Sequence, residues 1–314
     1  MNIGIIGAGK IARKMANTVN ALDGFNAYAI ASRSLEKAIA FKEEYHFEKA
    51  YGSYEDLAKD PNVDLVYIAT PHSEHYKNML LCLKYKKPVI CEKILTTSSK
   101  QTEEIYGLFE QNNVFLLEAM WCAFMPLRDI INGLLNEKII GDVVRMEGYF
   151  KTSLMHVERV KNRSLGGGAA MDIGLYPISF ALRTFGFNPD KIEIKELRKN
   201  NDVDEYEVVE MTYGNIKAIS IADASVDGDC DIRIFGSKGK IIIDKVTGAK
   251  SVSIFDLDGN LIRVIDCECP LGGFEYELIA SRKAIEDNKL ETAQWTHENS
   301  IQLARIIDKI VYSD

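Results

Sequence analysis

The chain has 314 residues, 46% of them hydrophobic and 27% charged, with a formal net charge of −8 at pH 7 and a pI near 5.3. That length favours two domains over one core, and the acidity excludes nucleic acid or an anionic membrane surface as the main partner, since neither attracts a protein of that sign. No apolar run of membrane-spanning length stands out and the N-terminus leads directly into a strand pattern, so a cytoplasmic protein is expected.

The first segment, MNIGIIGAGKIA, joins a continuous apolar run (Ile3, Ile5, Ile6) to the glycines Gly7 and Gly9. A helical stripe follows at Ile11, Met15, Val19 and Leu22. Strand, glycine turn and helix in that order, with small Ala12 completing G-x-G-x-x-A, describe a dinucleotide-binding turn. Its free amides and positive helix end favour a pyrophosphate. A second strand spans 25–31, and Ser34 caps a helix with apolar positions Leu35, Ala38, Phe41 and Tyr45. Tyr51 lies on a short third strand, and Ser53 with Asp56 starts a brief helix. Strands at 64–69, 89–91 and 114–117 alternate with helices through Tyr76 to Leu83 and Ile105 to Phe109. Such alternation predicts a doubly wound parallel sheet, a Rossmann domain over residues 1–119.

From residue 120 onward the pattern predicts an α+β domain, 120–314. A helix at 126–135 leads to a strand at 143–150, a polar loop, the glycine run Gly166 to Gly168 and a helix from about Asp172. Strands at 192–197, 206–213, 216–222, 230–235, 241–244, 252–255 and 261–265 then follow one another, which predicts a large, open, mainly antiparallel sheet. Two helices close the chain. One uncovered sheet face suggests self-association. The six cysteines, Cys82, Cys91, Cys122, Cys230, Cys267 and Cys269, lack CxxC spacing and fit reduced structural thiols, and no metal is expected.

The end of the second strand reads Ala31-Ser32-Arg33-Ser34. With no carboxylate there to repel a 2′-phosphate and a guanidinium able to pair with one, NADP(H) is preferred, NAD(H) being the alternative. Ligands in doubly wound folds bind beyond the carboxyl ends of the strands. Those ends read Ala69-Thr70-Pro71-His72-Ser73-Glu74-His75, Cys91-Glu92-Lys93 and Glu118-Ala119-Met120-Trp121. Lys93 is suited to polarising a substrate oxygen. His72 and His75 lack a third metal ligand and read as cofactor or loop contacts. His156 is either a solvated histidine or a substrate contact.

In Gly166-Gly167-Gly168-Ala169-Ala170-Met171-Asp172-Ile173-Gly174-Leu175-Tyr176-Pro177 the glycines would let the backbone approach a ligand, and an acid and a phenol share a helix face at i and i+4. Tyr176 could take the proton a secondary alcohol loses with its hydride, helped by Lys93, while Asp172 could orient either the substrate hydroxyl or Lys93. Read alone, Asp172 is more often a helix cap and Tyr176 an interface aromatic.

GAGKIA, ATPHSEH, CEK and GGGAAMDIGLYP, in that order over the whole chain, resemble the Gfo/Idh/MocA family of glucose-fructose oxidoreductase-like dehydrogenases. Tyr176 and the EAMW at 118–121 make it most similar to the dimeric dihydrodiol dehydrogenase branch, other members carrying histidine at the position of Tyr176. The resemblance implies Lys93, Asp172 and Tyr176 as catalytic positions. It implies Gly7, Gly9, Ala12, Ser32, Arg33, Thr70, Pro71, His75 and Glu92 as the nucleotide site; beside these, Lys10, Ile11, His72 and Lys93 are expected cofactor contacts, and Trp121 and His156 are candidate contacts to a polyol, sugar or diol substrate. The family usually reads Glu-Lys-Pro. Here Ile94 replaces the proline, which puts any cis bond at that place in doubt. The alternatives are a nucleotide-responsive regulatory protein without catalysis, and a nucleotide-sugar dehydrogenase of the same family.

Overall fold

The computed structural model describes residues 1–267 and 269–313. Contacts divide the chain into two compact units, one of Met1–Phe124 with Leu271–Ile301, the other of Met125–Pro270 with the chain from Gln302 onward.

In the first unit, strands and helices alternate as β1 (Asn2–Ile6), α1 (Lys10–Ala21), β2 (Asn26–Ala31), α2 (Leu35–Tyr45), β3 (Lys49–Tyr51), α3 (Tyr54–Lys59), β4 (Leu65–Ile68), α4 (His72–Lys84), β5 (Val89–Glu92), α5 (Ser99–Gln111) and β6 (Leu116–Ala119). The six strands are parallel in the order β3-β2-β1-β4-β5-β6. All residues of β4, β5 and β6 are buried, as apolar runs covered on both faces require. Ser34, Ser53 and Ser98 each accept a hydrogen bond from the amide three residues on, which satisfies one free donor at the start of α2, α3 and α5. Leu35, expected on the apolar stripe of α2, is exposed, whereas Ala38 and Phe41 carry the contact.

The second unit contains α6 (Leu127–Asn136), β7 (Val143–Lys151), α7 (Glu158–Lys161), a wide π-type turn at Ala170–Gly174 and α8 (Leu175–Phe185). Seven further strands follow: β8 (Lys191–Asn200), β9 (Val203–Tyr213), β10 (Ile216–Asp223), β11 (Ile232–Gly236), β12 (Gly239–Ile243), β13 (Ser251–Asp256) and β14 (Leu261–Asp266). The sheet runs β14-β13-β12-β11-β7-β10-β9-β8. Its pairings are antiparallel except β7 with β10, because β7, first in the chain, takes a central place and both its neighbours come from later hairpins. Met146, Val209, Met211, Ala218, Ala222, Ile232, Ile234, Ile241 and Ile243 are fully buried along one face, in the period-two alternation of a half-covered sheet. Pro177 of α8 packs on that face, so close to Gly148 that a Cβ there would lie 2.7 Å from the proline Cβ. Helices α9 (Phe274–Glu286) and α10 (His297–Val311) complete the chain.

Two expectations change. The boundary is not a single switch near residue 120, because residues 271–301 return to the first unit. The buried Trp295 donates its indole Nε1–H to Glu118 Oε2 at 3.1 Å and to Ser300 Oγ at 2.8 Å, and Leu116 N–H donates to Leu290 O. The free flank of β6 is thus covered by a segment 177 positions away, which local periodicity does not report. Second, Arg163–Phe185 is helical and apolar enough by length and composition to cross a bilayer, contrary to the expectation of no such stretch. It is 94% buried inside the protein over its apolar window, which is how a core helix satisfies the same pattern.

Candidate functional site

The nucleotide half is built at the carboxyl ends of the first sheet. Gly7 has φ +101°, and a Cβ there would lie 2.8 Å from the Ala69 carbonyl oxygen, so the tight turn against the end of β4 admits only glycine. Gly9 precedes α1 without any side-chain cap, and a Cβ there would meet nothing closer than 4.0 Å. That opening lets a phosphate reach the amides of Lys10, Ile11 and Ala12 at the positive end of α1. Ala12 is fully buried, the small contact that seats α1 on the sheet. These features fit a dinucleotide pyrophosphate. Gly7→Ala is expected to lower stability by about 1–3 kcal/mol and to weaken NADPH binding, checked by thermal melting and by quenching of protein fluorescence.

Beyond β2, Ser32 is buried with its Oγ accepting from Ser34 N–H, while Arg33 is exposed. Beyond β4, Thr70 Oγ1 accepts from Asn78 Nδ2, and Thr70 and Pro71 are half-buried. His75 is fully buried, with Nδ1 3.0 Å from Ile94 O and Nε2 2.8 Å from Thr70 O. It therefore ties the loop after β4 to the loop after β5, and burial lowers its pKa. His72 is also buried, its ring 5.6 Å from that of His75. Among the described residues no group of three or more His, Cys, Asp or Glu is placed to hold a metal.

Glu92 ends β5 and accepts from the Tyr67 hydroxyl. Lys93 follows, half-buried, and the Lys93–Ile94 peptide is cis although no proline is present. The next amide, Leu95 N–H, donates to Glu118 Oε1 at 2.8 Å, so the lysine loop is fastened by Glu118 on one side and by His75 on the other. Burial raises the pKa of the Glu118 carboxyl, while hydrogen bonds from Ser300, Trp295 and Leu95 and the charge of Lys93 oppose that rise. Trp121 stacks on Phe274 with ring centroids 5.0 Å apart and planes 19° from parallel, an aromatic wall that sequence reading missed on the Phe274 side.

The second unit places Asp172 inside the π-type turn and Tyr176 at the second position of α8. Both are buried, and the Tyr176 ring lies 5.7 Å from that of Phe150. The widened turn replaces the regular i, i+4 geometry expected from a helix beginning at Asp172. Arg159 on α7 donates Nη1–H to Asp172 Oδ1 at 2.6 Å and Nη2–H to Oδ2 at 3.1 Å. Asp204 at the start of β9 accepts from Ala170 N–H at 2.6 Å, capping the same turn from the sheet. Neither partner is signalled locally, since they lie 13 and 34 positions away.

The glycine run has a different purpose from the one expected. A Cβ on Gly167 would lie 2.4 Å from Val160 O, and one on Gly168, where φ is +123°, would lie 2.3 Å from Asp204 Oδ1. The glycines let this chain's own backbone and Asp204 close on the turn. His156 is exposed on the loop before α7.

Residues 1–119 match the family described as "Oxidoreductase family, NAD-binding Rossmann fold", and residues 131–242 match the Gfo/Idh/MocA C-terminal domain. A trans-1,2-dihydrobenzene-1,2-diol dehydrogenase from Danio rerio is 31% identical over 325 residues, covering 99% of this chain and 97% of that protein. The chain belongs to the Gfo/Idh/MocA oxidoreductase family. A dehydrogenase of the same description from Xenopus tropicalis is 36% identical over 76% of this chain and 74% of its own length. Its human counterpart is 32% identical over 76% of this chain and 72% of its own. Among solved structures, the 3-ketoreductase KijD10 from Actinomadura kijaniata, in complex with NADP and TDP-benzene, superposes with a TM-score of 0.88 at 24% identity, covering 99% of this chain and 96% of that one. Levoglucosan dehydrogenase in complex with NADH does so with a TM-score of 0.86 at 18% identity and the same coverage. At such identities the structures share the fold: an NAD-binding Rossmann domain joined to a domain with a mainly antiparallel eight-stranded sheet.

Proposed function

We propose that this oxidoreductase prefers NADP and moves a hydride between nicotinamide and a secondary alcohol or carbonyl of a cyclic diol, cyclitol or sugar. The observation that carries the reading is the second unit's turn, where a buried carboxylate and a buried tyrosine stand four residues apart on a segment held by Asp204 at Ala170 and by Arg159 at Asp172. The dihydrodiol dehydrogenases similar to the chain over most of its length act in name on a cyclic trans-diol, which supports the substrate class.

The nicotinamide, when bound, supplies the hydride acceptor or donor. The amides behind Gly9 and the small Ala12 bind and orient the pyrophosphate. Tyr176 takes the hydroxyl proton on oxidation and returns it on reduction, Asp172 accepts a hydrogen bond from a substrate hydroxyl, and the Lys93 ammonium is suited to polarising a substrate oxygen. Trp121 with Phe274 offers an apolar face for a ring substrate. The assay is NADP⁺ reduction by purified protein against a panel of cyclic diols, cyclitols and sugars, and no turnover with any of them would sink the proposal.

NADP preference rests on Arg33, exposed at the end of β2 where no carboxylate stands. Arg33→Glu is expected to weaken NADPH roughly 10–100-fold, the loss of a charged hydrogen bond, with NADH unchanged or improved. Titrations with both cofactors check it. We also propose that the half-covered face of the eight-stranded sheet pairs with a second copy, giving a homodimer or homotetramer, and light scattering at micromolar concentration should return a mass of two or four chains.

A further inference from the structure

We propose that Arg159 is the positioning residue that fixes Asp172 as a carboxylate acceptor and so leaves the proton transfer to Tyr176, an inference that rests on the oxidoreductase reading above. The two contacts, 2.6 and 3.1 Å, are one guanidinium fork on both oxygens of one carboxylate, the bidentate geometry that fixes direction as well as charge. A guanidinium has only donors, so both Asp172 oxygens accept from it, and the cation held against them favours the carboxylate over the protonated acid that a proton donor would have to be.

The base of the clamp is rigid. Arg159 lies on the four-residue helix α7, and its neighbour Val160 is fully buried in a cluster with Ala169, Ile173, Ala222 and Ala224. Gly168 N–H donates to Val160 O at 2.8 Å and Gly167 N–H to Asn162 O at 3.1 Å. At Gly167 a side chain would strike the carbonyls of Arg159, Val160 and Asn162, so the glycine run is what lets the arginine segment come within reach of the turn. Asp172 is 7% exposed at its side chain and Arg159 42%, so the acid is shielded while the guanidinium's outer side meets solvent. A lysine would keep the charge and lose the fork.

The test uses the full chain with Arg159→Met, Arg159→Lys, Asp172→Asn and the Arg159→Met/Asp172→Asn double variant. With the best cyclic diol, Arg159→Met should lower kcat about 10–100-fold while the NADPH dissociation constant stays within about twofold. Arg159→Lys should recover only a small part of the loss, and millimolar methylguanidine should raise turnover of Arg159→Met but not of Asp172→Asn. A purely structural arginine would give no such rescue. Parent-like kcat in Arg159→Met, or rescue absent where its kcat has fallen, overturns the proposal. Urea unfolding of the four proteins without cofactor separates this outcome from failure of the oxidoreductase reading. Midpoint shifts that are non-additive support the clamp even if the parent turns over no diol, and additive shifts overturn it.

Discussion

Tyr176→Phe should lose roughly 10²–10⁴-fold in kcat while binding NADPH as the parent does. The substitution removes one oxygen and keeps the ring that lies against Phe150, so the packing of α8 on the sheet should survive and melting should stay close to the parent. The tyrosine is held where a small displacement matters. It is buried, it follows a turn clamped by Arg159 and capped by Asp204, and it precedes Pro177 packed against Gly148. Lys93→Met should give a loss of comparable size, since the ammonium is the group assigned to polarise a substrate oxygen, and the glycine turn that holds pyrophosphate is unchanged by either substitution. A bell-shaped pH profile in the parent that loses its tyrosine limb in Tyr176→Phe would complete the assignment. Parent-like turnover in both variants would remove it.

Much of the fold could be read in the sequence because the informative pattern is local. Apolar runs at β4, β5 and β6, serines at the starts of α2 and α3, and glycines that end β1 each act within a few residues. Strand runs following one another without helices likewise announced the second sheet, though not the parallel pairing of β7 with β10, which depends on where a strand inserts and not on what it contains. Lys93, Asp172 and Tyr176 were legible as residue types at strand and helix ends. What holds them was not: Glu118 reaches Trp295 across 177 positions, and Arg159 and Asp204 come from different elements to one turn. The glycine run shows why spacing alone misleads. Glycine reports close approach of some backbone, and only the tertiary structure says that the approaching group is Asp204 and the 159–162 carbonyls.

Glu207→Gln should make the protein more stable than the parent at pH 8, with the advantage vanishing as pH falls to about 4.5. Glu207 is fully buried on β9, on the face beneath the turn, where a Cβ on Gly174 would lie 1.9 Å from its Oε1. Among the described residues neither of its oxygens has a hydrogen-bond partner, nor has the buried Ser220 Oγ on the adjacent strand. Burial first, and then the like charges of Asp204 and Asp223, push its carboxyl well above the ordinary 4.5. A carboxyl raised on folding binds its proton more tightly in the native state, so its favourable contribution is complete below the unfolded value and is lost as pH rises toward the folded one. The parent should therefore decline relative to the glutamine variant by about 1.4 kcal/mol for each pH unit in that window, a slope no unshifted carboxyl can give. Urea midpoints of the two proteins from pH 4.5 to 8 measure it, and parallel curves would show that Glu207 ionises as an ordinary acid. Glu277 on α9, fully buried, raised by burial and then by Glu92, and likewise without a partner among the described residues, should show the same sign in Glu277→Gln.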